Sequence, residues 1–444
     1  MQTFHFKVVL FMRINDIIQR KRDGYELSQD EIRQVINGFT LGKVPDYQMS
    51  AFLMAIWFRG MTKEETFAMT HAMANSGKKV DISKVQGPTV DKHSTGGVGD
   101  KVTLIAAPLA AALGCKVAKM VDHGLGYTGG TQDKLNSIPG FRTALNSQMF
   151  LSQVNKVGLA LISRTEDLIS VDQRLYSLRD VTATEDSLPL IASSIMSMKL
   201  ATGCQNIILD VTVGSGAFMK TLKEARELAR LMVEIGKSAG RNVIAIITDM
   251  DAPLGYAIGN SLEVVEAIEV LNGKGPEDLK EVSLAIAASM YAAAFGKSKE
   301  EADQAVKGAI EDGSALQKLA EMVRCQRGDA NLIFQPDGFP VSKYIQSVKS
   351  PVSGYLCHME TDMIGSVACL LGAGRERKDS RIHYAAGIVL HAKPGDYVEE
   401  GQSLASFRTD TDGLFYEAEQ TFLSALSFSK EPPAPRTLIH EIIR

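Results

Sequence analysis

One texture, repeated three times through the middle of the chain, restricts the fold more than any other feature. A short β-rich run passes into a glycine-rich turn and then into a helix-forming segment. Pro88–Lys92 reads as a strand; it leads into Lys92-His-Ser-Thr-Gly-Gly-Val-Gly-Asp100, and the Ala-rich stretch Thr103–Leu113 reads as a helix. Cys115–Val121 is a second strand, followed by Gly124-Leu-Gly-Tyr-Thr-Gly-Gly-Thr131. Asn206–Val213 is a third, followed by Gly214-Ser-Gly216, a helix over Thr221–Gly240 and a strand over Asn242–Asp249. Strands alternating with helices predict a largely parallel sheet, because parallel neighbours require a crossover between them. Glycine turns after successive strands gather at one end of such a sheet, where α/β proteins bind ligands.

The flanks read differently. From Arg13 to about Gly77 the pattern is helical, with Ile14, Ile17 and Ile18 on one stripe and capping boxes at Ser28–Glu31 and Thr62–Glu65. The run Met49–Phe58 is apolar nearly all round and is expected to be buried. Val171–Gly203 is helical again, so the chain is expected to return to the first lobe. From about Val348, short strands and turns such as Pro351-Val-Ser-Gly-Tyr355 and Lys393-Pro-Gly-Asp-Tyr-Val398 take over. The expected architecture is α/β. A small all-helical lobe (12–77, completed by 172–204) joins a larger α/β lobe with a mostly parallel sheet (78–171 and 205–345) and a β-rich C-terminal module (346–444). Residues 1–11 precede the first helical pattern and read as a start-site artefact or tag, without the apolar core or cleavage site of a signal peptide.

A net charge of −4 on 444 residues marks no nucleic-acid or anionic-membrane surface. No apolar run reaches the roughly 18 residues of a membrane span. The five cysteines (115, 204, 325, 357, 369) form no CxxC pair and no metal-like spacing with histidine, which suits a reducing, cytoplasmic setting. Partners are therefore expected among small molecules.

The first glycine turn carries the chemistry. Its glycines free the backbone to curl around an anion, Lys92, Ser94 and Thr95 supply donors, and the following helix adds its positive end. His93 within it is the natural proton donor. The second turn satisfies GxGxxG, but the acidic residue a dinucleotide fold wants about 20 positions later is missing, and Ala144–Phe150 stands there instead. A second phosphate-side loop fits better. In the returning helical segment, Arg179 can offer two parallel donors to a planar acceptor such as a pyrimidine edge.

Taken together, Lys92–Asp100, Gly124–Thr131, Leu178-Arg-Asp-Val-Thr-Ala-Thr184, Leu209-Asp-Val-Thr-Val-Gly-Ser-Gly-Ala-Phe-Met219, Thr248-Asp-Met-Asp-Ala-Pro-Leu254 and Leu371-Gly-Ala-Gly-Arg-Glu376 resemble the pyrimidine nucleoside and thymidine phosphorylase family, from about Met12 to the C-terminus. The resemblance implies a homodimer whose helical and α/β lobes close on each other. It implies phosphorolysis of a pyrimidine nucleoside to free base and pentose 1-phosphate, with inorganic phosphate and nucleoside as partners and no organic cofactor. It assigns phosphate contacts to Lys92, Ser94, Thr103, Lys119 and Thr131, catalysis to His93 with Arg179, and the base to Arg179 and Ser194. A monovalent cation, potassium in some members, is implied near Gly99, Leu254, Ala257 and Glu266.

Four departures from the family pattern stand out. Met198 replaces a base-binding Lys. Val121-Asp122-His123 stands for Ser-Gly-Arg, Tyr127 for His in Gly-His-Thr, and Thr212 for Lys in Asp-Val-Lys. Losing a charged hydrogen bond to the base costs roughly 1.5–3 kcal/mol, about ten- to a hundredfold. One alternative is therefore the same chemistry on another base, with Asp122 or His123 supplying a polar contact. A second is a binding protein without catalysis. The β-module resembles a swinging-arm carrier domain only superficially, because the turn His358–Met363 lacks the required Lys.

Overall fold

The computed structural model describes residues 12–124, 129–163, 170–375 and 381–444. Residues 1–11, the Gly126-Tyr127-Thr128 stretch and Glu376 lie outside them. The chain divides between residues 79 and 80, 165 and 166, and 201 and 202 into two compact units.

In the helical unit, Ile14–Arg22, Gln29–Thr40, Asp46–Arg59 and Lys63–Ala74 are joined by Ser170–Asp180 and Leu188–Thr202. Both expected capping boxes form: Ser28 and Glu31, and Thr62 and Glu65, satisfy each other's otherwise unpaired N–H groups. Glu65 does more, holding the buried Lys21 ammonium with both oxygens at 2.8 Å and accepting from Leu27 N. The core gathers Ile17, Ile32, Ile36, Phe39, Phe52 and Ile56 against Val171, Leu175 and Leu190 of the returning segment. The helix Asp46–Arg59 corrects one expectation. Met49, Phe52, Leu53 and Ile56 are buried, but Trp57 and Phe58 are 41% and 72% exposed. A helix on the outside of a bundle needs only one apolar stripe.

The second unit is built around a main sheet with five parallel strands. Its strands are β1 (Thr89–Ser94), β2 (Lys116–Val121), β3 (Leu159–Ser163), β4 (Asn206–Val213) and β5 (Asn242–Asp249). These five run parallel, in the spatial order β5-β4-β1-β2-β3. After β1 the chain builds outward to β2 and β3, then returns to the other side of β1 with β4. The strand order therefore reverses between β1 and β4, and a crevice opens at their carboxyl ends. The helix Val102–Ala112 after β1 is buried on every side, packed among the helices Glu277–Phe295 and Ser314–Cys325. Its small side chains permit that close approach.

The C-terminal region is β-rich, with β6 (Ala257–Ile258), β7 (Tyr344–Lys349), β8 (Gly354–Met359), β9 (Gly387–Leu390), β10 (Tyr397–Val398), β11 (Ser403–Thr409) and β12 (Leu426–Ser429). They form the antiparallel sheets β6-β9-β11-β7 and β10-β8-β12 around a core that includes Phe407 and Phe422, 5.4 Å apart edge to face. The region differs from a separate module over 346–444. β6 comes from the α/β segment, and β13 (Ile439–Ile443) adds to the main sheet antiparallel to β5. The turn after β8 enters the helix Thr361–Ala368 rather than forming an exposed hairpin tip.

Candidate active site

The crevice between β1 and β4 is where the first glycine turn lies. Thr95 N continues the ladder to Asp210 O at 2.9 Å, and the chain then turns through Gly96, Gly97 and Gly99 at positive φ. The approach is close: a Cβ on Gly97 would fall 2.5 Å from Met250 Cε. Thr212, on β4, fastens the turn. Its hydroxyl donates to Gly96 O at 2.6 Å and lies 2.9 Å from Thr95 Oγ1, which accepts from Thr212 N. The departure at position 212 thus has a structural use that a longer Lys side chain would not reproduce.

Lys92 is wholly buried, its ammonium 3.0 Å from Asp210 Oδ2 and 3.8 Å from Asp100 Oδ1. Burial acts against its charge, but the two carboxylates outweigh that and hold its pKa above the ordinary lysine value. Asp100 divides the other way. Burial alone would raise it, yet Lys92 and Lys134 draw its pKa down to about 2. Asp210 is raised by burial, which Lys92 only partly offsets, and by the neighbouring Asp100. Asp100 also accepts from Val102 N at 3.2 Å, capping the buried helix, and its carbonyl accepts from Lys134 Nζ at 2.5 Å. Ser94 and His93 end β1, both partly exposed, and Thr103 lies in the first turn of the helix.

Strand β2, which leads toward the second turn, lies beside β1. Lys119 on β2 donates to the carbonyl of Lys92, so those two predicted residues meet through main chain. Thr131 opens the helix Thr131–Asn136, and Gly130 approaches Gly124 N so closely that a Cβ there would lie 2.1 Å away. His123 is turned to Asp133, 2.5 Å from Oδ1, and Arg375 joins the same carboxylate at 2.9 and 3.1 Å. Its ring nitrogen is therefore engaged within the α/β unit.

Gly99, Leu254, Ala257 and Glu266 do converge. A Cβ on Gly99 would lie 2.7 Å from Leu254 O and 3.5 Å from Ala257 O. Glu266 accepts from Tyr256 N at 2.8 Å and from Ala257 N. The positive charge among them is the chain's own: Lys101 Nζ donates to Ala257 O at 2.7 Å and pairs with Glu266 Oε2.

On the helical unit, Arg179 is buried in the last turn of Ser170–Asp180. Its guanidinium donates to the carbonyls of Thr184 (3.1 Å), Leu190 (3.2 Å) and Glu185 (2.5 Å). Burial lowers its pKa from the usual arginine value. Ser194 and Met198 are buried on the helix Leu188–Thr202, where Ser194 O accepts from Ser197 Oγ at 2.9 Å. Sequence reasoning overlooked Asp100, Lys101, Lys134 and Asp210 as site residues. A Lys inside a buried strand requires a carboxylate partner, and Asp100 and Asp210 both stand in the quoted motifs.

Residues 86–316 match the profile described as the glycosyl transferase family a/b domain, and residues 15–77 match its helical bundle domain. Residues 355–426 match the pyrimidine nucleoside phosphorylase C-terminal domain. An anthranilate phosphoribosyltransferase from Thermus thermophilus shares the fold, with a TM-score of 0.58 at 16% identity, covering 70% of this chain and 100% of that one. The matches to both domain models place the chain in the glycosyl transferase class that they describe. Pyrimidine-nucleoside phosphorylases from Geobacillus stearothermophilus and Staphylococcus haemolyticus are 47% and 48% identical, each over 97% of this chain and 100% of the relative. The chain belongs to the pyrimidine-nucleoside phosphorylase family.

Proposed function

We propose that the protein catalyses reversible phosphorolysis of a pyrimidine nucleoside, giving the free base and a pentose 1-phosphate. The observation that carries this reading is the turn Lys92–Asp100 at the strand-order reversal, with a buried ammonium behind it and His93 and Ser94 at its mouth. A phosphate oxygen forms the new bond to the anomeric carbon as the bond from that carbon to the base nitrogen breaks. The base leaves with the electron pair, and the sugar passes through oxocarbenium character. Phosphate stabilises the sugar's charge, while His93, with Arg179 and Ser194 on the base side, stabilises the charge on the base. Thr103, Lys119 and Thr131 complete the phosphate side. These steps draw on no organic cofactor.

Incubation with uridine or thymidine, with and without inorganic phosphate, tests the reading by release of free base. Phosphate-dependent release is expected, and no release from any pyrimidine nucleoside would overturn it. In His93→Ala, turnover is expected to fall about 10²–10⁴-fold with less effect on nucleoside binding.

Met198 favours a second reading, altered base preference. A buried thioether offers an apolar, adaptable wall where the resemblance expects a Lys donor. Met198→Lys is then expected to raise uridine or thymidine phosphorolysis by about tenfold or more. A wild-type rate on these nucleosides that the variant does not exceed would remove it. The exposed Leu41, Tyr47 and Phe58 of the helical unit support a homodimer, which light scattering checks. The five cysteines, none in a disulfide among the described residues, support a cytoplasmic setting.

A further inference from the structure

Lys101 closes the glycine turn and immediately precedes the buried helix Val102–Ala112. Its side chain is wholly buried and pairs with a carboxylate other than those of Lys92, Glu266. That carboxylate also accepts from Tyr256 N and Ala257 N, while the Lys101 ammonium holds Ala257 O at 2.7 Å. One acid and one ammonium thus tie the segment 254–257 to the end of the turn.

The enclosure is tight. Gly255 has φ +72°, and a Cβ there would fall 2.3 Å from Glu266 Oε2 and 2.9 Å from Lys101 Nζ. Gly99, at φ +74°, lets the turn come against Leu254 O. These are the residues around which the family resemblance places a monovalent cation. They do not fit one here. The carbonyl of Ala257 and the carboxylate of Glu266 already serve an ammonium, and a second cation would add an unbalanced charge to a buried, neutral pair.

We propose that the Lys101 ammonium is a built-in replacement for the monovalent cation, so that this protein needs no potassium, and that Lys101 is a positioning residue for the phosphate turn. The main chain at Asp100 is gripped from one side by Lys134 and continues directly into Lys101 on the other. Asp100 in turn faces Lys92 and caps the helix. Anchoring residue 101 therefore sets the geometry on which the Lys92–Asp100 pair depends.

The test compares full-length wild type, Lys101→Ala and Lys101→Met in tetramethylammonium phosphate, titrated with potassium chloride or with tetramethylammonium chloride at matched ionic strength. Both the melting midpoint and phosphorolysis are read, so the stability arm stands even if the proposed reaction is wrong. Wild type is expected to show no potassium-specific change in either. Lys101→Ala leaves a vacated space facing Glu266. Its KM for phosphate is expected to rise about tenfold, and potassium is expected to restore both KM and melting midpoint along a saturating curve. Lys101→Met fills the space with an apolar chain and is expected to show no rescue. A potassium-specific gain in wild type would overturn the proposal, as would a folded Lys101→Ala that responds equally to both salts. If Lys101→Ala folds only with potassium, that result supports the proposal. If it folds in neither salt, the wild-type titration decides alone.

Discussion

On the α/β unit, Lys92 is held by two carboxylates, Asp210 at 3.0 Å and Asp100 at 3.8 Å; on the helical unit, Arg179 is held by three main-chain carbonyls. Both cations are buried, and both close a turn that the proposed reaction uses. The restraints nevertheless differ in kind. Carboxylates in the interior are ions that depend on the ammonium between them, so the cluster stands or falls together and answers to pH. Carbonyls are neutral and without the guanidinium lose only donors, although Asp172, Glu185 and Asp186 also stand near enough to favour its charge. The proposed phosphate side is thus built as a fixed electrostatic unit, and the proposed base side as a clasp on one loop. Ala183 in that loop adopts φ 52°, a left-handed conformation unusual for a side-chain-bearing residue. The departures follow the same division. Thr212 is absorbed into the framework of the glycine turn, whereas Met198 puts a thioether on a buried helical face.

Lys92→Met offers the largest test. It leaves the buried Asp210 without its cation and Asp100 with Lys134 alone, and a loss of about 3–5 kcal/mol is expected in urea unfolding, with phosphorolysis abolished. Asp210 already binds its proton more readily than an ordinary carboxyl. Removing Lys92 strengthens that tendency, so the variant's deficit is expected to be smaller at pH 5 than at pH 8. Adding Asp210→Asn is expected to recover much of the stability but none of the activity. An unfolding midpoint that does not move would break the comparison at its stronger end.

Arg179→Ala is expected to cost less, about 1.5–3 kcal/mol, with the KM for nucleoside raised more than the KM for phosphate. Its deficit should be the same at pH 5 and pH 8 once Glu185 is replaced by Gln in both proteins. A deficit exceeding that of Lys92→Met, with a similar pH trend, would show that the two restraints are alike. Thr212→Val keeps the shape but removes the donor to Gly96 O. A loss of about 0.5–1.5 kcal/mol is expected, together with a higher KM for phosphate as the turn loosens.

The alternation of strand, glycine turn and helix made the parallel sheet and the location of its turns legible, because each signal lies within a short stretch of chain. The strands Asn206–Val213 and Asn242–Asp249 matched residue for residue. Long-range pairing was less accessible. Nothing in Ile439–Ile443 names β5 as its neighbour, since the pairing depends on an edge that exists only once the sheet is assembled. The site shows the same limit. The sequence marked Lys92 as an anion-binding candidate, but the partition of its carboxylates into one strongly acidic and one raised group depends on burial and distance. Arg179 was legible as a cation able to meet a planar acceptor; that main-chain carbonyls of its own loop engage it is a property of the folded turn. Lys101 was the clearest omission, because it stands beside Asp100, next to the residues that the family resemblance gathers around a cation.

The smallest effect isolates the clasp from its own charge. Glu185, whose carbonyl receives Arg179, has its carboxyl pKa pushed up to about 7, first by burial and then by the neighbouring Asp180 carboxylate. A pKa higher in the folded than in the unfolded protein means that the fold favours the protonated form. That stabilisation is complete below the unfolded value near 4.5 and is lost as pH rises through about 7. Glu185→Gln keeps a neutral side chain able to bond Asp180 at every pH. It is therefore expected to melt with wild type at pH 5 and slightly above it at pH 8. The side chain is only partly buried, which limits the gain to about 1 °C or less and makes it shrink in high salt. If the charge reaches the clasp through the shared residue, the wild-type KM for nucleoside should rise between pH 6 and 8 while that of Glu185→Gln stays level. A rise of equal size in both proteins would place the titrating group elsewhere and leave Arg179 and its carbonyls indifferent to pH, as neutral acceptors alone require.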